Sequence, residues 1–378
     1  MAKSKRKSSF WLKVLLGINF IAVVALLLAY ISFYVSPAKF WLPAFAGLAY
    51  PYIIAVNLFF ILVWVLIRWK FALFSFVAIV AGYGYLSVSW QYHAKVAVKD
   101  GDGYFKVLSY NVRNFDLYNY KKNWEPNFEK RNSIFKFIQK EGADIMCFQE
   151  FVNDLSGRFK TMDTITTFQK ARNVHAEFTV TSRNMNQFGI ATFTSFPIVN
   201  KGRIDFPNAK TNLCIFTDIL VGKDTLRVYN AHFESIHFNY SDYEFTEKLM
   251  LTPANNEPDL KNKSMRILRL MKRAFLKRAM QVDIVANHIK TSPYPVIFCT
   301  DLNDTPISYA YHQLTRNLHD AFTESGSGYG HTYTEIFPSF RIDYVFLSKT
   351  LASANFTSMV STNSDHYAIE CLVRKKSN

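Results

Sequence analysis

The chain has 378 residues, 49% hydrophobic and 16% aromatic, with a formal net charge of +15. That much apolar mass with only 14 glycines excludes a disordered or collagen-like chain, and four cysteines exclude a disulfide scaffold. The charge suggests a nucleic-acid binder until its distribution is seen. Residues 1–99 hold ten of the 44 basic residues and no acid, which leaves 34 basic against 29 acidic residues, only +5, in the remainder.

The N-terminal part reads as membrane. Phe10–Val35, Phe40–Ile67 and Phe71–Trp90 are almost continuously apolar. Each is long enough to cross a bilayer core at about 1.5 Å per residue. Lys13 can reach the headgroups from one end of the first span, and Pro51 predicts a kink in the second. Trp11, Tyr30, Tyr34, Trp41, Trp64, Trp69 and Trp90 mostly fall near span ends, as interfacial aromatics do. The basic start, Lys3 to Lys7, also fits a signal peptide, but the first stretch is long for one and two more spans follow. Lys3, Lys5, Arg6, Lys7, Arg68 and Lys70 oppose Lys39, Lys95 and Lys99, and the bias of six to three predicts a cytoplasmic N-terminus. Three spans then put residue 91 onward in the periplasm or outside the cell.

Asp100-Gly101-Asp102-Gly103 is a polar break, so the expected division is a membrane region over 1–99 and a soluble α/β domain over 100–378. Short β-branched or aromatic runs follow, bounded by Gly, Pro, Asn and Asp: Phe105–Tyr110, Ile145–Phe148, Ile190–Phe193, Leu213–Leu220, Leu226–Ala231, Val296–Cys299, Ile342–Leu347 and Tyr367–Val373. They predict strands, with helices at Phe128–Glu141 and Lys263–Lys290, and hence two packed sheets flanked by helices. Cys147, Cys214, Cys299 and Cys371 each lie in such a run and read as buried thiols, not zinc ligands.

Polar residues cluster at the ends of these runs. Asn111, Glu150 and His232 follow strands; Asp301 and Asn303 follow Val296–Thr300; Asp343 lies in Arg341–Val345; Asp365 and His366 precede Tyr367. Any one of them alone reads as a turn former or rim residue. Together they offer hard oxygen ligands for Mg²⁺ or Mn²⁺, with two histidines suited to proton transfer and charge stabilisation on a phosphoryl group.

The segments SYNVRNF (109–115), ADIMCFQE (143–150), FGIATFTSFPIV (188–199), YNAHFES (229–235), CTDLNDTP (299–306), RIDYVF (341–346) and SDHYAI (364–369) resemble, in order, the endonuclease/exonuclease/phosphatase superfamily. The resemblance spans roughly 104–374. It implies a DNase I-like four-layer α/β sandwich, here preceded by an all-α transmembrane region. It also implies that Asn111 and Glu150 hold a Mg²⁺ ion, with Asp365 as a metal or water ligand. Asp301 would orient or deprotonate the attacking water, and Asn303 would hydrogen-bond the phosphate. His366, oriented by Asp343, would stabilise charge or donate a proton, with His232 as the second histidine. Arg113 and Asn114 are candidates for extending the phosphate site, a solvated loop arginine being the alternative. Two positions depart from the family pattern: Thr300 stands where Gly usually precedes the Asp, and Ala231 where Thr usually separates Asn from His. His237, His288, His312, His319 and His331 match no catalytic position and read as surface or loop residues.

Substrate choice is a separate matter. Phe115–Trp124, with Tyr118, Tyr120, Lys121, Lys122 and Trp124, suits base stacking with phosphate contacts, or else covers the core or touches the membrane. Lys261–Arg278 is an amphipathic basic helix that fits nucleic-acid phosphates, anionic headgroups or plain solvent. Phe238–Leu260 carries five acids and reads as an inserted, mobile loop. The expected function is a membrane-anchored, Mg²⁺-dependent phosphodiesterase, foremost a nuclease. The alternatives are phospholipid-headgroup (sphingomyelinase-like) or inositol-polyphosphate hydrolysis, and an inactive membrane-anchored binding module, against which the complete residue set argues. The partners implied are the phosphoester substrate and the bilayer; no protein partner can be deduced.

Overall fold

The computed structural model describes residues 2–99, 101–121, 127–168, 170–182, 185–236, 260–334 and 340–376. The chain divides into two units, one comprising Met1–Ser89 with Asp304–His312 and the other Trp90–Asn303 with Gln313–Asn378.

The first unit is helical: α1 (Ala2–Tyr34), α2 (Leu42–Leu48), α3 (Tyr50–Arg68), a 3₁₀ turn at Trp69–Phe71, α4 (Ala72–Ala81) and α5 (Tyr83–Ser89). Two stretches are long and apolar enough to cross a membrane, Phe10–Tyr34 and Tyr50–Ala81, of 25 and 32 residues. The second is not one rod. Arg68 leaves helical geometry at φ −155°, ψ 89°, and Ser75 Oγ donates to Asn57 Oδ1 at 2.9 Å. Residues so far apart in sequence would be separated by roughly 27 Å in a straight helix, so the chain turns back near Arg68 and α3 and α4 form a hairpin. The expected third segment, Phe71–Trp90, is carried mainly by α4 and α5, which are parted at Gly82. Pro51 does not kink a helix. It stands in the first turn of α3, where the missing N–H breaks no helical bond.

Polarity in this unit runs outside-in. Trp64 Nε1 donates to Asn19 Oδ1 (2.8 Å), Asn19 Nδ2 to Ser75 Oγ (2.6 Å), and Asn57 Nδ2 to the Ala22 carbonyl (3.0 Å). All four polar side chains are buried. Phe20, Phe59 and Leu66 face outward at 67%, 60% and 86% exposure. The segment Asp304–His312 packs here too: Ser32 Oγ donates to the Ile307 carbonyl at 2.8 Å. A Cβ on Gly47 would sit 2.3 Å from Ser32 Oγ and 2.4 Å from the Ile307 oxygen, so only glycine fits that approach.

The second unit holds two six-stranded sheets and a short β1–β11 pair. In chain order the strands are β1 (Gln91–Tyr92), β2 (Phe105–Asn111), β3 (Ile145–Asp154), β4 (Asn173–Ser182), β5 (Asn186–Thr194), β6 (Ile198–Asp205), β7 (Leu213–Val221), β8 (Asp224–His232), β9 (Val296–Asp301), β10 (Leu318–Asp320), β11 (Ser327–Gly328), β12 (Asp343–Ser348), β13 (Leu351–Met359) and β14 (Ala368–Lys375). The sheet orders are β13-β14-β2-β3-β5-β4 and β10-β12-β9-β8-β7-β6. Side chains alternate. Val107, Ile145, Cys147, Ile369 and Cys371 of the first sheet pack between the sheets against Val228, Ile297, Cys299 and Val345 of the second. On the first sheet's outer face Leu108, Tyr110, Met146 and Phe148 meet Ile134, Phe135 and Ile138 of α6 (Glu129–Glu141). Gly142, left-handed at φ +53°, ends α6 by donating to the Ile138 carbonyl. On the outer side of the second sheet, Tyr229 meets His288 of the long helix Leu260–Lys290, hydroxyl to Nδ1, at 2.8 Å. These are the four layers of the expected sandwich.

All eight expected strands are present, and all four cysteines are buried. The strands not anticipated in the six-stranded sheets, β4, β6, β10 and β13, are the four sheet edges. An edge strand needs apolar contacts from one side only and tolerates charge, so its pattern is weak. The reading of the spare histidines as surface or loop residues fails twice. His288 packs in the long helix against Tyr229 and Phe216, and His312 packs against Phe33 and Tyr34 within the helical unit. His237 lies outside the described residues.

Below the strand ends, the two sheets are tied by a buried amide pair. Gln149 Nε2 of β3 donates to Asn230 Oδ1 of β8 (2.8 Å), and Asn230 Nδ2 donates back to the Ala191 carbonyl of β5 (3.0 Å). Asn230→Leu should therefore cost roughly 2 kcal/mol or more by orphaning these groups. A fall in the urea midpoint of the detergent-solubilised chain would register it, and an unchanged midpoint would refute it.

Candidate active site

Parallel pairing aligns strand ends. β2 runs parallel to β3 in the first sheet and β8 parallel to β9 in the second, so Asn111, Glu150, His232 and Asp301 emerge at one edge of the sandwich. β12 and β14 are antiparallel to β9 and β2, so their starts bring Asp343, opposite Asp301, and His366 to the same edge. Glu150 sits in a bulge of β3, at φ +48° with the register slipping between Phe148 and Phe151. The bulge breaks strict alternation and re-aims the side chain.

The side chains converge. Asn111 Nδ2 donates to Asp301 Oδ2 (2.9 Å) and to Glu150 Oε1 (3.3 Å). His232 Nε2 is 3.6 Å from Asp301 Oδ2 and 3.7 Å from Glu150 Oε1. It is buried and has no hydrogen-bond partner among the described residues. His366 Nδ1 is 2.8 Å from Asp343 Oδ2, and its Nε2 is 3.8 Å from Asp301 Oδ2. Asp301 Oδ1 accepts from the Asn303 backbone N–H at 2.9 Å.

Burial shapes the charge states. Desolvation disfavours the His366 imidazolium, but Asp343 first, then Asp301 and Asp365, outweigh it and raise the pKa well above the ordinary histidine value. Asp301 is fully buried. Desolvation raises its pKa, Asp343 adds to this, and His366, His232 and the Asn111 hydrogen bond oppose it.

Of the remaining expected residues, Asn303 adopts φ +55° and donates through Nδ2 to the Phe233 carbonyl (3.0 Å), turned into the scaffold. Asp365 accepts from Ser364 Oγ (3.1 Å) and faces Arg113 Nε at 3.6 Å. Arg113 and Asn114 lie in a turn of four consecutive left-handed residues, Arg113–Asp116, directly after the Asn111 strand. Among the described residues the Asn114 side chain makes no hydrogen bond into the cluster. Phe115 is buried against Phe135 and Phe151, so it covers the core. Tyr118 and Tyr120 are exposed, and Lys122 and Trp124 fall outside the described residues. So does the acidic loop, save Leu260, which begins the long helix.

Three supporting residues were not anticipated. Thr332 Oγ1 accepts from the Asp343 N–H (3.2 Å), and Tyr333 stacks edge-on against His366. Ser364 Oγ donates to the Asn111 carbonyl (2.9 Å). Thr and Ser are too common to stand out in a sequence. The two departures from the family pattern meet, Thr300 Oγ1 donating to the Ala231 carbonyl across β8 and β9 at 3.1 Å.

The donor set suits a hard divalent cation. Glu150 offers carboxylate oxygens with the Asp301 carboxylate nearby, while Asn111 turns its Nδ2 to both and its Oδ1 to the Arg113 N–H (3.0 Å), so its amide would have to rotate to act as a ligand. Asp301, Asp343 and His366 also bring ligand atoms within 4.8 Å of one another. In that trio, however, His366 and Asp343 already satisfy each other, so it reads better as an oriented imidazole.

The Endonuclease/Exonuclease/phosphatase family matches residues 108–366, and the chain belongs to it. Its activity is accordingly that of a phosphoester hydrolase at the level the family defines. A domain of unknown function (DUF8431) matches residues 12–89. Solved structures of similar fold include the human Nocturnin catalytic domain with bound sulfate anion, at 16% identity over 74% of this chain and 96% of that one, TM-score 0.49. Truncated Caenorhabditis elegans TDP2 has 17% identity over 72% and 97%, TM-score 0.47. A functionally unknown conserved protein from Enterococcus faecalis V583 has 12% identity over 72% and 100%, TM-score 0.50. No curated protein matches the chain.

The raised pKa of His366 gives a direct test. In the metal-free chain His366 should stay protonated at pH 7.5, where an ordinary imidazole (pKa about 6.5) is mostly neutral. Asp343→Asn should bring its titration down. The pairing stabilises the folded chain fully below about pH 6.5, and the contribution fades as pH rises through the folded-state value. Titration of ¹⁵N-labelled histidines by NMR reads this; a neutral His366 at pH 7 would refute it.

Proposed function

We propose that the chain is a membrane-anchored phosphodiesterase that uses Mg²⁺, with Mn²⁺ able to substitute, and that its substrate is nucleic acid. The observation that carries the hydrolase reading is the convergence of Asn111, Glu150, His232, Asp301, Asp343 and His366 at one edge of the sandwich. Glu150 and Asn111 would hold the divalent ion, with Asp365 as a further ligand to ion or water. The ion's contribution is Lewis-acid neutralisation of a phosphoryl oxygen.

The protein groups divide the remaining work. Asp301, whose Oδ2 lies within 4 Å of both histidines, would orient an attacking water and draw off its proton. His366, held as imidazolium by Asp343, donates a hydrogen bond to the phosphoryl oxygen where charge develops. His232 Nε2, buried and without a hydrogen-bond partner among the described residues, would bond substrate or the leaving group. Asn303 would have to release Phe233 to reach the phosphate. Arg113, and Asn114 beside it, supply contacts to flanking phosphate.

The anchor reading rests on the outside-in polarity of the helical unit, which matches a lipid surround and would be costly in water. With three crossings and a cytoplasmic N-terminus, the catalytic unit faces the periplasm or cell exterior. An anchored enzyme could instead cleave lipid headgroups, whose local concentration the anchor would raise.

Full-length protein in detergent micelles should nick plasmid DNA or RNA with Mg²⁺ and lose this activity in EDTA. Asp301→Ala and His366→Ala should each lower kcat about 10³-fold. Cleavage of sphingomyelin or inositol polyphosphate with nucleic acid intact would remove the nuclease reading. For the anchor, the chain should stay with membranes through an alkaline wash and leave them in detergent. Release by the wash alone would refute the anchor.

A further inference from the structure

A cavity of about 340 Å³ opens beside the strand ends, walled by Lys210, Asn212, Glu234, Ser235, Arg273 and Lys277. Its position is fixed by register. Leu213 of β7 pairs with His232 of β8. Asn212 immediately precedes Leu213, and Glu234 follows His232 by two residues. The cavity is thus walled by residues next to the paired Leu213 and His232 in sequence, and His232 itself is not among its lining.

Two features mark it as built for an anion. The first is Asn212, which is 4% exposed while both amide atoms, Oδ1 and Nδ2, have no hydrogen-bond partner among the described residues. An unpaired buried amide is costly, and such groups ordinarily find a partner. The second is the charge. Lys277 Nζ is 2.7 Å from Glu234 Oε1 and neutralises it. Lys210 and Arg273 line the same cavity and, among the described residues, make no ion pair or side-chain hydrogen bond. Three cations thus face one carboxylate. The wall itself is firm: Arg278 Nε and Nη2 donate to the Glu234 carbonyl at 3.1 and 2.9 Å, and the Glu234 N–H donates to Gln281 Oε1 at 2.8 Å.

We propose that this cavity receives a second phosphate of the substrate, one that is not hydrolysed, through Arg273, Lys210 and the Asn212 amide. The proposal rests on the hydrolase reading for what reaches the neighbouring site. It narrows the substrate to molecules carrying at least two phosphates, whether successive phosphates of a nucleic acid or those of an inositol polyphosphate. A headgroup with a single phosphate leaves the cavity unused. Bidentate guanidinium contacts and charge-assisted bonds in a half-enclosed site give both affinity and register.

Full-length wild type, Arg273→Ala, Lys210→Ala and Asn212→Leu are compared in detergent with Mg²⁺. Asn212→Leu replaces the orphaned amide with an apolar group, so its thermal midpoint should hold or rise. The substrates are bis(p-nitrophenyl) phosphate, which has one phosphate, a 5′-phosphorylated dinucleotide with its unphosphorylated counterpart, and an inositol polyphosphate. Each variant should raise KM about tenfold for whichever two-phosphate substrate is cleaved, with kcat nearly unchanged and bis(p-nitrophenyl) phosphate kinetics within twofold of wild type. The dinucleotide and inositol arms tell the two sources apart. Binding of inorganic phosphate to the EDTA-treated chain is measured alongside by calorimetry. Phosphate binding that is lost in Arg273→Ala, with no substrate hydrolysed, would uphold the cavity and sink the hydrolase reading. Hydrolysis with unaltered KM in Arg273→Ala and Lys210→Ala, or equal losses on the one-phosphate substrate, would overturn the cavity proposal.

Discussion

An amide bridges the two sheets at the edge where their carboxylates would otherwise repel. Asn111 ends the central part of one sheet, and its Nδ2 reaches across to Asp301 at the end of β9 in the other, while also touching Glu150 on its own sheet. Three carboxylates, Glu150, Asp301 and Asp343, meet at this edge, and Asp301 and Asp343 are almost wholly buried. Such a concentration of buried negative charge is unfavourable unless something compensates it. Asn111, His232 and the raised pKa of His366 supply part of the compensation, and a divalent ion would supply more. The remaining architecture serves that convergence. Parallel pairing brings the strand ends level, the β3 bulge re-aims Glu150, and the Gln149–Asn230 pair fixes the spacing of the sheets beneath them.

The helical unit reverses the usual solvent logic. Its hydrogen-bonded Asn19–Ser75–Asn57 chain lies inside while phenylalanines and leucines face out. In hydrocarbon, packing between helices gains little from apolar contact, because lipid is as apolar as leucine, and buried amides then supply specificity. The same chain defines the hairpin of α3 and α4. The basic pair Arg68 and Lys70, which interrupts the apolar run in the sequence, stands at that reversal.

What could be read in the sequence follows from how tightly chemistry restricts residue type. Asn111, Glu150, His232, Asp301, Asp343 and His366 were legible because few side chains can bind a hard cation or shuttle a proton, and because each stands next to a strongly apolar strand. The central strands were legible for the second reason alone. The edges β4, β6, β10 and β13 were not, because a half-exposed strand such as Asn173–Ser182 carries polar residues at most positions. Pro51 was misread because a proline breaks a helix and begins one with equal ease, and only the position of the preceding helix end decides which. Thr332 and Ser364 act through hydroxyl hydrogen bonds to backbone groups, for which no sequence pattern exists.

The basic stripe Lys261–Arg278 shows what tertiary packing does to a charge count. As a sequence it is one amphipathic face, open equally to nucleic acid, headgroups or solvent. Folded, its C-terminal part splits by burial. Arg278 is 1% exposed and bonded to the Glu234 carbonyl, so its charge is structural. Lys277 is matched by Glu234. Arg273, one turn back, keeps its charge and turns it on the cavity that Asn212 completes. A uniform basic surface would attract any polyanion with little regard to its geometry. One guanidinium, one lysine and one buried amide around a fixed cavity select for the position of a phosphate relative to the bond being cut. The modest +5 of the catalytic region is therefore no argument against a phosphate-rich substrate, because local placement of charge outweighs its sum.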